Sequence, residues 1–318
     1  MLRGRSARSE ALHGILFASP WLLGFCIFTA FPIGWSILLS LSDWDPYDPV
    51  VHRTFVGLAN YKDVLTSDPL VLKALLNTFT YALMVVPLGM SVSLGLAILL
   101  NQKVRGISFF RTAFYVPSVV GGVATTILWT YILNPVFGPL NNGLHAINVL
   151  LDKSIVLSFI RLPEPLWLFD PAWTKPSLVL MAMWGAGGAG MLIFLAGLQG
   201  VPGHLYEVAD LDGAGKLRKF WNITLPMLSP TIYFNLVMGL IGSLQVFMQA
   251  YVIDGGKGGM DNSLLFYVLY IYRKAFVEYE MGYAAAMAWV LFTIILCLTL
   301  LVIKSSAIWV YYEGEKNA

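Results

Sequence analysis

Tyr81-Ala82-Leu83-Met84-Val85-Val86-Pro87-Leu88-Gly89-Met90-Ser91-Val92-Ser93-Leu94-Gly95-Leu96-Ala97-Ile98-Leu99-Leu100 contains no acidic or basic side chain. It closes an apolar segment that begins at residue 74. A helix needs about 20 mainly apolar residues to cross the hydrocarbon core of a bilayer, and segment 74–100 exceeds that. Five more segments pass the same test: 15–41, 107–133, 177–198, 230–253 and 282–303. The spans predict an all-α integral membrane protein with six transmembrane helices.

Composition agrees with that reading. The chain has 318 residues, of which 58% are hydrophobic and 12% charged. Its mean hydropathy is +0.71. Soluble domains carry roughly 25% charged residues, so this chain could not coat a water-exposed globule of its size. A net charge of +2 offers no basic stripe for nucleic acid. Cys26 and Cys297 each sit inside an apolar run, which argues against a disulfide framework or a zinc site. Arg3, Arg5 and Arg8 before the first apolar run mimic a signal peptide, but that run is longer than the roughly 7–15 residues of such a segment. Residues 1–13 are therefore read as a cytoplasmic N-terminus and 14–318 as one transmembrane domain. Lys and Arg are nearly twice as dense in the loops that share a side with the N-terminus, which places both termini in the cytoplasm.

Several chemistries are disfavoured. Gly185-Ala186-Gly187-Gly188-Ala189-Gly190 satisfies a dinucleotide fingerprint, yet it lies inside a span rather than between a strand and a helix. Close helix packing or a local bend explains it better. Gly213-Ala214-Gly215-Lys216 is not a phosphate loop, because Asp210 and Leu217 stand where a Gly and a Ser or Thr are needed. His13, His52, His145 and His204 are scattered and form no metalloprotease signature. Asp43, Asp45 and Asp48 read as a solvated turn. The cores of the six segments hold no Asp, Glu, Lys, Arg or His, the groups on which proton relays and many ion-coupled carriers depend. That argues against a secondary carrier, the main alternative, and favours a neutral solute. Catalysis is not expected on this chain, nor are a cofactor or a metal.

The loop at about 200–228, between the fourth and fifth spans, carries the functional signal. Pro202 suits a helix start and Gly213 a left-handed helix end, which predicts a helix over 205–212. Leu205, Val208 and Ala209 share one face of it, with Glu207, Asp210 and Asp212 supplying acidic groups. A second amphipathic piece, 216–221, leads into Ile223-Thr224-Leu225-Pro226. The outside loops hold an apolar segment at 141–151, Trp167 and Trp173 at the membrane edge, and a short helix at 263–275.

Glu207-Val208-Ala209, then Gly213, then Ile223 and Leu225-Pro226 resemble the signature loop of binding-protein-dependent importer permeases. Val208 stands where Ala is usual. The resemblance runs over nearly the whole chain. Ser19-Pro20-Trp21, Phe31-Pro32, Phe55-Val56-Gly57-Leu58 with Asn60-Tyr61, Asn77-Thr78-Phe79, Asn134-Pro135 and Met281-Gly282-Tyr283 look like carbohydrate-uptake permeases of the maltose and glycerol-3-phosphate type. Asp254-Gly255-Gly256-Lys257 departs from the Asn-Gly-Gly-Pro usual after the fifth span.

The resemblance implies the architecture of a type I ABC importer permease in a bacterial or archaeal cytoplasmic membrane. It implies a second, homologous permease subunit, two cytoplasmic ATPase subunits that bind ATP and Mg, and an extracytoplasmic solute-binding protein. Glu207, Val208, Ala209, Asp212, Gly213, Ile223, Leu225 and Pro226 would couple the ATPase to the spans. For the solute path, Gln245 and Gln249 lie four residues apart and would share a helix face, where they either line a wet cavity or hydrogen-bond a neighbouring helix. Gly242 would leave room beside them, and Trp184 on the fourth span could approach.

Overall fold

The computed structural model describes residues 3–44, 54–102, 104–152 and 161–311, with side chains from His13 onward. Asp45 and Asp48 lie outside the described residues. Among the described residues, four helices are long and apolar enough to cross a membrane: His13–Ser40, Pro69–Leu100, Ser229–Asp254 and Met281–Trp309. Two bent pairs, Ile107–Val119 with Gly122–Ile132 and Pro171–Gly187 with Ala189–Gly200, raise the number to six when each pair is one span. The fold class read from the sequence is therefore the one observed.

Three spans are less regular than their composition implies. The third bends by 95° after Val119, where Val120 and Gly121 are extended, two residues beyond Pro117. The fourth bends by 46° at Gly185–Gly187, a tight 3₁₀ turn followed by Gly188 at ψ −135°. The fifth is interrupted between Leu244 and Met248, where Phe247 has φ −142°.

Two wide π-turns share a cause. Cys26–Ala30 ends just before Phe31-Pro32, and Phe220–Thr224 just before Leu225-Pro226. A helical proline lacks an N–H and its ring meets the carbonyl four residues back. Widening the turn moves that carbonyl aside, and the last amides, of Phe31 and Leu225, bond back to Cys26 and Phe220.

The chain divides into two units. The smaller comprises 1–68 with 271–292. In it a two-residue ladder pairs Ser42 with Phe55 and Asp43 with Thr54. Asn60 donates to Ser40 O and Ser42 O at 3.0 and 3.1 Å, and Tyr61 bonds Ser40 at 2.7 Å. Gly57, at φ +60°, turns its N–H onto Leu41 O. A side chain at Gly282 would sit 2.0 Å from Ser42 O, and Tyr283 donates to Asp68 at 3.0 Å. The quoted Phe-Val-Gly-Leu, Asn-Tyr and Met-Gly-Tyr motifs thus fix one turn.

The larger unit, 69–270 with 293–318, holds the second to fifth spans. Without a hydrophobic force between helices in lipid, close backbone approach and polar contacts hold such packing together. Gly187 and Gly188 abut Phe114 O and the Ser118 side chain so closely that a Cβ would stand 2.2 and 2.4 Å away. The Ser93 hydroxyl donates to Ala186 O at 2.7 Å, satisfying a carbonyl at the bend. The glycine run is thus a bend and a packing site, as its place inside a span implies.

Asn77 and Thr78 pin the loop that follows the fifth span. The buried Asn77 amide donates to Asn262 O at 2.7 Å and Leu265 O at 2.9 Å. Thr78 Oγ1 accepts from the Tyr267 amide at 3.0 Å. Upstream, Gly255, Gly256, Gly258 and Gly259 all have positive φ, and the Asp254 carboxylate accepts from the Gly256 and Gly259 amides. The helix expected at 263–275 forms over Tyr267–Phe276, because residues 263–266 are held in this turn. The apolar segment expected at 141–151 is the helix Pro139–Asp152. Trp167 packs edge to face on Trp173 at 5.4 Å and donates to Asn141 at 2.6 Å.

Candidate functional site

The loop between the fourth and fifth spans is helical almost throughout. Gly203–Leu211 forms a nine-residue helix with Pro202 at its N-cap. Its C-terminus closes by backbone geometry. Gly213 adopts φ +71°, its N–H bonds Asp210 O at 3.1 Å, and the Ala214 N–H bonds Ala209 O at 2.9 Å. That pair of bonds is a Schellman cap, which needs a left-handed residue at the glycine position.

The inward face consists of Leu205, Tyr206 and Ala209. Val208, expected beside Leu205 and Ala209, is instead 55% exposed, and Leu211 is 89% exposed. At 100° per residue Val208 lies on the opposite flank of Leu205 from Ala209 and Tyr206, and the body of the protein meets the latter side. The outer surface of the helix therefore carries Val208 and Leu211 among Glu207, Asp210 and Asp212.

Two contacts tie this helix to the chain that enters the fifth span. Tyr206 OH meets Thr224 Oγ1 at 2.9 Å, and Lys219 Nζ pairs with Asp210. Lys216–Lys219, the π-turn Phe220–Thr224 and Leu225–Met227 follow one another without a gap. Asp212, Ala209, Arg218, Lys219, Asn222 and Ile223 line a polar notch beside the helix. The signature residues Glu207, Val208, Ala209, Asp212, Gly213, Ile223, Leu225 and Pro226 are thus gathered on one loop whose ends are two membrane spans.

A cavity of about 750 Å³ opens between the second, fourth and fifth spans. Its polar lining comprises Tyr81, Ser93, Asn235, Ser243, Gln245 and Gln249. None of these is an acid or a base at neutral pH. Ser93 is engaged with Ala186 O, and the Asn235 amide donates to Thr231 O at 2.9 Å. The Gln245 and Gln249 side chains make no hydrogen bond among the described residues, and Gln245 is exposed.

The two glutamines line the cavity for a reason other than the one expected. They do not share a helix face, because the helix stops at Leu244 and resumes at Met248. The break turns Gln245, Phe247 and Gln249 to the same opening. Trp184 does not line it; its ring packs edge to face on Trp129 at 6.2 Å. Sequence reasoning missed Asn235 and Ser93, although Asn235 gives the same signal as the glutamines, an amide inside an apolar segment. No group of three or more potential metal ligands occurs among the described residues.

Between the third and fourth spans, Asn148 exchanges hydrogen bonds with the Leu162 backbone at 3.0 and 2.8 Å and donates to Glu164 at 2.8 Å. His145 lies 3.3 Å from the same carboxylate. The Asn148 amide, helped by His145, holds Glu164 below the usual carboxylate range.

Comparison with known proteins connects these features. The family described as binding-protein-dependent transport system inner membrane component matches residues 69–305. A probable ABC transporter permease protein, YesP of Bacillus subtilis (strain 168), is 40% identical over all of this chain and 97% of its own length. The arabinooligosaccharides transport system permease protein AraP of the same organism is 34% identical over 94% of this chain and 89% of its own length. A chain from the crystal structure of a bacterial alginate ABC transporter, in complex with its pentasaccharide-bound periplasmic protein, aligns with TM-score 0.76. That match has 22% identity and covers 94% of this chain and 95% of the other, so it speaks for the fold.

Proposed function

Since the chain belongs to the family of binding-protein-dependent transport system inner membrane components, we propose that it is the permease subunit of an ATP-driven importer moving a sugar or related neutral solute inward. Both termini then face the cytoplasm. Its partners are a second permease, two ATPase subunits and an extracytoplasmic binding protein. The observation that carries the reading is the continuity of the loop at 200–228 with the fourth and fifth spans, two of the three that line the cavity.

Each part has a physical role. The helix Gly203–Leu211 offers an acidic rim around exposed Val208 and Leu211, a surface suited to a cleft in an ATPase. Tyr206 and Asp210 lock it to the segment that enters the fifth span, so a push on the helix moves that span with it. The fourth and fifth spans also wall the cavity, and displacing them changes which end is open. Such rigid-body rearrangement is how one site is exposed alternately to two sides.

A sugar presents hydroxyls and no charge. Amides and hydroxyls line the cavity, and two of the amides make no hydrogen bond among the described residues. An amide in an apolar setting without a hydrogen bond costs roughly 1–3 kcal/mol, a cost that water or a passing polyol removes. Gln245 and Gln249 are therefore assigned to the solute path, with Asn235 and Ser243 beside them, and Trp184, which does not line the cavity, is left out of it. Arabinooligosaccharides, carried by the system of one relative, are a first choice of solute for assay.

The test is assembly. Co-expressed with the sister permease and ATPase from its genomic neighbourhood, the chain should yield a complex whose ATP hydrolysis rises with a sugar-loaded binding protein. Purified alone, it should hydrolyse no ATP. A complex whose hydrolysis ignores every loaded binding protein of that neighbourhood would refute the reading.

A further inference from the structure

We infer that the loop at 200–228 has two docking surfaces of opposite charge, and that the second, the basic and aromatic segment from Lys216 to Trp221, rests on the anionic phospholipids of the inner leaflet. This rests on the orientation in the proposed function. The first helix carries Glu207, Asp210 and Asp212; the segment after Gly215 carries Lys216, Arg218 and Lys219. Lys219 is engaged by Asp210. Lys216 and Arg218 are exposed and have no ion pair among the described residues.

Beside these bases, two large apolar side chains face outward. Leu217 is 71% and Trp221 58% exposed. They lie four residues apart and so point the same way on the helical run. Trp221 precedes the fifth span at Ser229 by eight residues, at most about 12 Å along a helix, which keeps it within reach of the headgroup layer when the segment lies along the membrane surface. Tryptophan is favoured at that depth. A negative leaflet attracts the bases and repels the acidic helix, so the membrane itself orients the loop with its acidic face toward the cytoplasm. The lipid surface thereby holds the lever at the height from which it drives the fifth span. The foot should make coupling depend on anionic lipid, each base adding roughly fivefold to partitioning onto such a surface.

The experiment uses the assembled complex, with its ATPase and binding protein, in vesicles of pure phosphatidylcholine and of phosphatidylcholine with about one-third phosphatidylglycerol. Wild type should transport several-fold more sugar per ATP in the anionic vesicles. Lys216→Gln with Arg218→Gln should erase that difference while leaving uptake in pure phosphatidylcholine near the wild-type value. Trp221 should also be quenched by brominated lipid, read as the difference between wild type and Trp221→Phe. Equal loss of uptake by the double variant in both membranes would overturn the inference and assign the bases to the ATPase. Wild-type uptake indifferent to lipid, with Trp221 unquenched, would overturn it as well. Absence of ATP-driven uptake by wild type in every membrane would instead strike the proposed function.

Discussion

Replacing Gly213 isolates the backbone term in coupling. A Cβ at Gly213 would meet nothing within 4 Å, so no side-chain clash contributes, but φ is +71°. The left-handed conformation costs an L-residue roughly 1–2 kcal/mol, less for Asn, whose short amide tolerates it, and more for a β-branched residue. Two kilocalories correspond to about a 30-fold shift between capped and uncapped ends. The Ala214 bond to Ala209 O and the Gly213 bond to Asp210 O would open together. The account predicts uptake per assembled complex in the order Gly, Asn, Ala, Val, with Gly213→Val nearly uncoupled and ATPase assembly retained. The assay is ATP-driven uptake in vesicles alongside basal ATP hydrolysis. Uptake by Gly213→Val equal to that of wild type would show that the cap has no mechanical role.

Other perturbations have equally definite outcomes. Gln245→Ala and Gln249→Ala should keep assembly and stimulated hydrolysis but lower uptake or change sugar preference; normal kinetics for every sugar would place the path elsewhere. Asn77→Ala strands the Asn262 and Leu265 carbonyls and should cost about 1–3 kcal/mol, seen as a lower unfolding temperature of the purified complex. Glu164, held low chiefly by Asn148, contributes stability that is present above the ordinary carboxylate pKa and is lost as pH falls through its lower folded value. Hydrogen-exchange protection over 139–152, taken relative to the intrinsic rate at each pH, should therefore fall at acid pH in wild type, and Glu164→Gln should flatten that dependence.

Much of this was legible because it is local. The six apolar segments follow from composition, and the Gly213 cap from a glycine at the end of an amphipathic run. Pro117 with Gly121-Gly122 held a visible signal for the bend in the third span, although a single helix was expected. The break at Gln245-Val246-Phe247 had no such signal. It lacks proline and glycine, and its neighbours read as continuous helix, so only the packing of the larger unit shows it. Val208 points outward because burial chooses between two apolar flanks that the sequence presents alike. The anchoring of 262–267 by Asn77 and Thr78 joins residues more than 180 apart, a distance that periodicity cannot bridge.

The most direct measurement is sugar uptake into vesicles holding the complete complex, with the loaded binding protein outside and either ATP within or an imposed proton or sodium gradient. Uptake should occur with ATP, be abolished when the ATPase is made unable to hydrolyse it, and be absent with either gradient alone. Gradient-driven uptake by this chain without the ATPase would contradict its role in an ATP-driven importer.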